Sequence, residues 1–155
     1  MRSKLAKLQQ YCDRIGNSGD RPAAACAITV ADVIDGIACV MPKDKRTAKE
    51  FCYLMHRIAS WAESSGCDVI LQAGGIPVVF DCLRSWPCEE NVVTKACCAS
   101  NQLACKGSET VKSAMRSVPD CEALLTAAYE SKFEGCQAAK ALKGLGYKKP
   151  CCAIM

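Results

Sequence analysis

The chain has 155 residues and a formal net charge of +4; half of its residues are apolar and 23% are charged. That balance places it among folded globular proteins with one core of ordinary size, outside the disordered and collagen-like classes. Aromatics make up only 6%, so Ala, Leu, Val and Cys carry the apolar load, and such small side chains suit closely packed helices.

The N-terminal stretch from Met1 to Gln10 lacks the apolar region of a secretory signal. The 14 cysteines therefore read as thiols in a reducing cytosol, where a free Cys behaves as a small buried hydrophobe. Leu5, Leu8, Cys12 and Ile15 fall on one face at helical spacing and predict a first helix, closed by Gly16-Asn17-Ser18-Gly19. Asp20-Arg21-Pro22 then opens a helical region, with Pro near a first-turn position. The apolar run from Ala23 to Met41 is almost long enough to span a membrane. It contains Asp32 and Asp35, however, and each carboxylate at the centre of a bilayer costs roughly 2.5–3.5 kcal/mol. Lys43, Lys45, Arg46 and Lys49, interrupted by Asp44, read as a solvated turn.

From Pro22 onward the chain repeats at a period near 42 residues. Ile76-Pro77 answers Val118-Pro119, and Leu83, Ala96, Leu103 and Ala104 answer Leu125, Ala138, Leu145 and Gly146. An earlier, fainter copy pairs Val33 to Val40 with Ile76 to Leu83. The clearest unit has three helices, Asp68 to Ala73, Ile76 to Ser85 and Glu90 to Cys105, broken at Gly74-Gly75 and at Trp86-Pro87. Cysteines recur every 13 to 15 residues from Cys12 through Cys26, Cys39, Cys52, Cys67 and Cys82 to Cys97, about one helix plus its turn, which predicts packing positions.

Chemistry has little to build on. No two cysteines stand three apart and His56 is the only histidine, so neither a metal knuckle nor a Cys–His nucleophile pair is spelled out. Gly74-Gly75 lacks the following Lys-Ser or Lys-Thr of a phosphate loop, and Glu89-Glu90 reads as an acidic pair at a helix N-terminus. No cofactor is implied. A nucleic-acid surface would need a broader basic stripe with stacking aromatics.

The chain ends Lys148-Lys149-Pro150-Cys151-Cys152-Ala153-Ile154-Met155. Its last four residues form a Cys-aliphatic-aliphatic-Met signal, in which the Cys152 thiolate accepts a prenyl group, Ala153, Ile154 and Met155 are the recognition tail, and a terminal Met favours farnesyl. Cys151 is a candidate for a second, acyl chain. Lys148 and Lys149 would face an anionic cytoplasmic leaflet. Residues 131 to 155 hold five lysines against one glutamate, so the net charge of the whole chain is concentrated there.

The stretch from Ala73 to Ser85, Ala-Gly-Gly-Ile-Pro-Val-Val-Phe-Asp-Cys-Leu-Arg-Ser, resembles the second-helix region of the armadillo repeat, and Ala96 to Ala104 resembles its third helix. The resemblance is strong over 68 to 105, moderate over 107 to 147 and weak over 22 to 62. It implies an all-α, right-handed armadillo-like helical solenoid of about three repeats over residues 1–147, followed by a flexible prenylation tail over 148–155. It also implies a non-enzymatic platform whose third helices line a concave groove for a protein partner, here around Tyr53, Arg57, Cys98, Gln102, Lys140 and Lys143.

In members of the importin-alpha and beta-catenin types a third-helix Asn anchors a peptide backbone, and in the former a nearby Trp shapes side-chain pockets. The matching positions here hold Arg57, Gln102 and Gly144 for Asn, and Tyr53, Cys98 and Lys140 for Trp. The ladder is absent, so the groove is unsuited to nuclear-localisation peptides. An exposed end of so short a solenoid is open to homodimerisation. Two further readings stay open: a soluble adaptor with a fortuitous C-terminus, and a thiol-based redox protein.

Overall fold

The computed structural model describes residues 3–40, 44–131, 133 and 135–148. Among these residues all regular structure is helical, in ten helices: α1 (Lys4–Gly16), α2 (Arg21–Cys26), α3 (Val30–Val40), α4 (Lys45–Trp61), α5 (Glu63–Gln72), α6 (Gly75–Ser85), α7 (Glu90–Lys106), α8 (Glu109–Arg116), α9 (Cys121–Glu130) and α10 (Gly135–Gly144).

Polar residues start several of them by accepting otherwise orphaned backbone N–H groups. Ser3 accepts from Ala6 N at 3.2 Å, Asp20 from Ala23 N at 3.1 Å, and Ser108 from Val111 N at 3.4 Å. Asp44 accepts from both Arg46 N and Thr47 N. It starts α4, so Lys45, Arg46 and Lys49 lie in the first turns of a helix rather than in a turn. Gly74 precedes α6 at φ 75, a left-handed conformation that only Gly adopts without penalty. Asp120 takes the same conformation before α9, at φ 60, where a short polar side chain is tolerated.

One contiguous hydrophobic cluster runs from Leu8 to Leu145. Helices α2 and α3 pack on α4, α5 and α6 on α7, and α9 on both α8 and α10; in chain order these are the helix triplets α2–α4, α5–α7 and α8–α10, and α1 packs on the first. The most extensive packing joins α4 to α7 and α7 to α10. Among the described residues α1–α4 and α8–α10 do not touch, and α5–α7 lies between them.

The 42-residue periodicity appears directly in burial. Ile76 and Val118, Leu83 and Leu125, Ala96 and Ala138, and Leu103 and Leu145 are buried pair by pair. The junction before α9 nevertheless falls four residues later than that offset places it, and a slip of about one helical turn preserves the apolar face. Ala104 and Gly146 part company: Ala104 is buried, whereas Gly146, beyond the end of α10, is exposed at φ 81.

The first helix of the middle triplet starts at Glu63, not Asp68. Ser64, Ser65 and Gly66 are poor helix formers, but here Gly66 packs against the end of α4, where an added Cβ would sit 2.5 Å from the Ile58 carbonyl oxygen. Cys12, Cys39, Cys52, Cys67, Cys82 and Cys97 are buried, as their spacing predicts, and so is Cys121; Cys26, at the end of the short α2, is exposed instead. Among the described residues no single helix is long and apolar enough to cross a membrane; α5 and α6 reach that length only as a pair bent by 80°.

Candidate partner-binding face

The long helices α4 and α7 each have one buried face and one polar face. On α7, Val92, Val93, Ala96, Cys97, Ala99, Ser100, Leu103 and Ala104 are buried, while Lys95, Cys98 and Gln102, spaced i, i+3 and i+7, form a half-exposed stripe. On α4 the matching stripe is Arg46, Lys49, Tyr53, His56 and Arg57. The N-terminal ends of the two stripes flank a cleft of about 180 Å³ lined by Lys45, Arg46, Lys49, Glu89, Asn91 and Val92.

Tyr53 is the centre of the face. The Arg57 guanidinium lies 4.4 Å from its ring centroid and the Lys95 ammonium 4.7 Å, both within cation–π range. Arg57 Nη2 also donates to the Tyr53 hydroxyl. Arg57 leans on the C-terminal end of α1, where a Cβ on Gly16 would meet Nη1 at 2.5 Å, and that helix end favours a cation. Its Nε is buried without a hydrogen-bond partner, as is His56 Nδ1. Burial holds the His56 imidazole below its ordinary range, and Lys95, Arg57 and Lys106 push it further the same way.

Neither Arg57 nor Lys95 has a described carboxylate within salt-bridge distance. Of the other cations of this region, Lys45 pairs with Glu89 at 3.1 Å, Lys49 with Glu50 at 3.3 Å and Lys106 with Glu63 at 3.9 Å, while Arg46, at the far N-terminal end of the stripe, has no described carboxylate within that distance. Lys106 also donates to the Ser60 carbonyl at 2.7 Å, closing the last turn of α4 from the neighbouring triplet.

Of the residues singled out by sequence, Tyr53 and Arg57 are in direct contact, Cys98 and Gln102 lie about one turn apart on α7, and Lys140 and Lys143 are exposed on α10. Gly144 is taken by helix packing, since a Cβ there would stand 3.0 Å from the Ala104 Cβ. Lys95, Lys106 and the Asn101–Gln137 pair were not singled out. Lys95 continues the Cys98–Gln102 stripe by one turn, a spacing visible in sequence; Asn101 is adjacent to the expected anchor position but turned inward. Cys151, Cys152, Ala153, Ile154, Met155 and Lys149 lie outside the described residues, and Lys148 is exposed at their edge.

The buried thiols are poor nucleophiles. Burial, followed by the Glu50 charge, pushes Cys12 up to about 12, and burial also raises Cys67 and Cys121 to about 11. Among the described residues no group of three or more His, Cys, Asp and Glu side chains is arranged to hold a metal ion. A depression of about 620 Å³ beside Arg116, Asp120, Cys121 and Tyr147 is open and lies on the third triplet. Comparison with protein families, with characterised proteins and with solved structures finds no match.

Proposed function

We propose that this chain is a non-enzymatic interaction module: a right-handed armadillo-like solenoid of about three helix triplets that receives a protein partner across α4, α7 and α10. A farnesyl group on Cys152 holds it on a cytoplasmic membrane face. The observation that supports the modular reading is that, among the described residues, α1–α4 and α8–α10 are joined only through α5–α7, as stacked repeats would be. The polar face on the long helices supports the binding role.

The anchor rests on the C-terminal tetrapeptide. One modest lipid chain gives only reversible binding, with an association constant of roughly 10⁴ M⁻¹ for myristoyl, so a second signal is needed. Lys148 and Lys149 supply about 1 kcal/mol each near an anionic leaflet, and Cys151 offers a site for a second chain. Intact mass of the protein from eukaryotic cells should show farnesyl addition and loss of Ala153, Ile154 and Met155. Cys152→Ser should release the protein fully to the cytosol, and Cys151→Ser or Lys148→Ala with Lys149→Ala only partly. An unchanged distribution of Cys152→Ser replaces the anchored reading with a soluble adaptor. A photo-crosslinker at Gln102 should capture a bound partner and one at Glu122 on α9 should not; the reverse pattern removes the binding face.

A further inference from the structure

The face just described carries an excess of positive charge at one defined place. Arg57 and Lys95 come from different helices, converge on a single tyrosine ring, and find no described carboxylate, although their cationic neighbours Lys45, Lys49 and Lys106 do. Two like charges held together around one ring repel each other and are partly withdrawn from water, with Arg57 Nε fully buried and unpartnered. The cost falls when an anion arrives between them. His56 beside them, held below its ordinary range first by burial and then by Lys95, Arg57 and Lys106, adds no charge of its own at neutral pH. Lys140 and Lys143 extend the positive field along α10, where they too meet no described acidic partner.

We propose that the occupant of this face is an acidic peptide segment of a protein partner, one carboxylate of which is gripped by Arg57 and Lys95 over Tyr53. This rests on the binding-module reading and names the chemistry of its partner. A carboxylate forms strong, short hydrogen bonds to guanidinium and ammonium groups. Between the cationic clamp and the lysines of α10 lies Gln102, whose amide both donates and accepts and so suits a peptide backbone. Neighbouring helix axes stand about 8–10 Å apart, the span of roughly three residues of extended chain. An extended segment crossing from α4 over α7 to α10 spans two such steps and therefore places acidic side chains about five or six residues apart opposite Arg57 with Lys95 and opposite Lys140. A single-stranded nucleic acid is less suited, because the Tyr53 ring is already covered by its two cations and His56, the other ring of the stripe, is partly buried beside it, which leaves no open platform for base stacking.

The test uses the full chain and a fluorescein-labelled 12-residue peptide of Glu alternating with Ser, compared with the same peptide carrying Gln for Glu. Fluorescence polarisation should show the Glu peptide binding at least about tenfold more tightly, an advantage that shrinks between 50 and 300 mM salt as the charges are screened. Lys95→Glu should weaken Glu-peptide binding at least about tenfold. Lys112→Glu on α8 makes the same change in net charge away from the face and should leave it unchanged. A thermal melt of Lys95→Glu matching the parent excludes loss of fold, and if the variant melts early, Lys95→Gln takes its place with a smaller expected loss. Equal binding of the two peptides, or equal losses in the Lys95 and Lys112 variants, overturns the proposal. So does tighter Lys95-dependent binding to an oligothymidine strand or to phosphatidylserine vesicles. If the Gln102 crosslinker still captures a partner while the Glu peptide fails, the face stands and only its acidic preference falls; if the capture moves to Glu122, both fall.

Discussion

The Asn101 side-chain amide on α7 donates to Gln137 Oε1 on α10 at 2.7 Å, while Asn101 Oδ1 accepts from the Cys105 thiol at 3.1 Å. Asn101 is only 7% exposed, so this bond is a buried polar link between the middle and last triplets. Gln137→Ala should strand the Asn101 donor and cost about 1–3 kcal/mol in chemical denaturation. Adding Asn101→Ala should cost less than the two single changes together, because both remove one interaction. Strict additivity would mean the two side chains do not cooperate.

Lys106 ties the first two triplets in a different way, through the Ser60 carbonyl. Lys106→Met keeps much of the aliphatic stem and removes the donor, so a loss of roughly 0.5–1.5 kcal/mol is expected. The same change removes one of the three cations pressing on His56. In an NMR titration the His56 midpoint should therefore move up, a result that a purely local cap on α4 would not produce.

His56 itself links stability to acidity. Its folded form holds a proton less readily than the unfolded chain, whose imidazole titrates near 6.5. Both states are neutral above that pH, and as the pH falls below it the unfolded state takes up the proton first, so stability declines on acidification. His56→Gln should flatten this part of the curve of unfolding free energy between pH 7 and 5. Carboxylate titrations dominate below that window and should be the same in both proteins.

The thiols should divide into two kinetic groups. Cys26, Cys88 and Cys105 are exposed, whereas Cys12, Cys52, Cys67 and Cys121 are buried with raised proton affinities. A maleimide pulse at neutral pH followed by peptide mass mapping should mark the exposed group within the pulse, and the buried group only in denaturant. Rapid labelling of Cys52 in the native protein would contradict the packing of α4, α6 and α7 around it.

Gly66 sits where α5 turns back on α4. Gly66→Ala places a methyl group 2.5 Å from the Ile58 oxygen and 2.9 Å from the Ala62 Cβ, so a loss of about 1–3 kcal/mol is expected, read as an earlier melt. Gly19→Ala, with open space around the added carbon, should lie close to the parent.

The helices of the middle triplet were legible because Gly74-Gly75 and Trp86-Pro87 punctuate strong apolar periodicity, and their observed ends differ by at most a residue for α6 and α7. The start of α5 was not, since Ser64-Ser65-Gly66 looks like a turn until the end of α4 is there for Gly66 to pack against. Tyr53 and Arg57 were named only through their match to the armadillo pattern, and α4 brings the two side chains into contact on its polar face. What brings Lys95 to Tyr53, Lys106 to Ser60 and Asn101 to Gln137 is the rotation and axial register of one helix against another. Periodicity within each helix does not encode that register, which is set by contacts such as Gly144 on Ala104.

Because the first and last triplets meet only through α5–α7, the protein has an order in which it can come apart. Either end can open while the other stays folded, but opening α7 strips both of their main support. Amides in the middle of α7 should therefore exchange with solvent only through complete unfolding, and those of α2 and α9 through smaller openings. The same arrangement governs mechanical load. A pull applied through the C-terminus reaches α10 first and is resisted at its seam with α7, so the last triplet can peel away as a fuse before tension disturbs Tyr53 and its two cations on the far side.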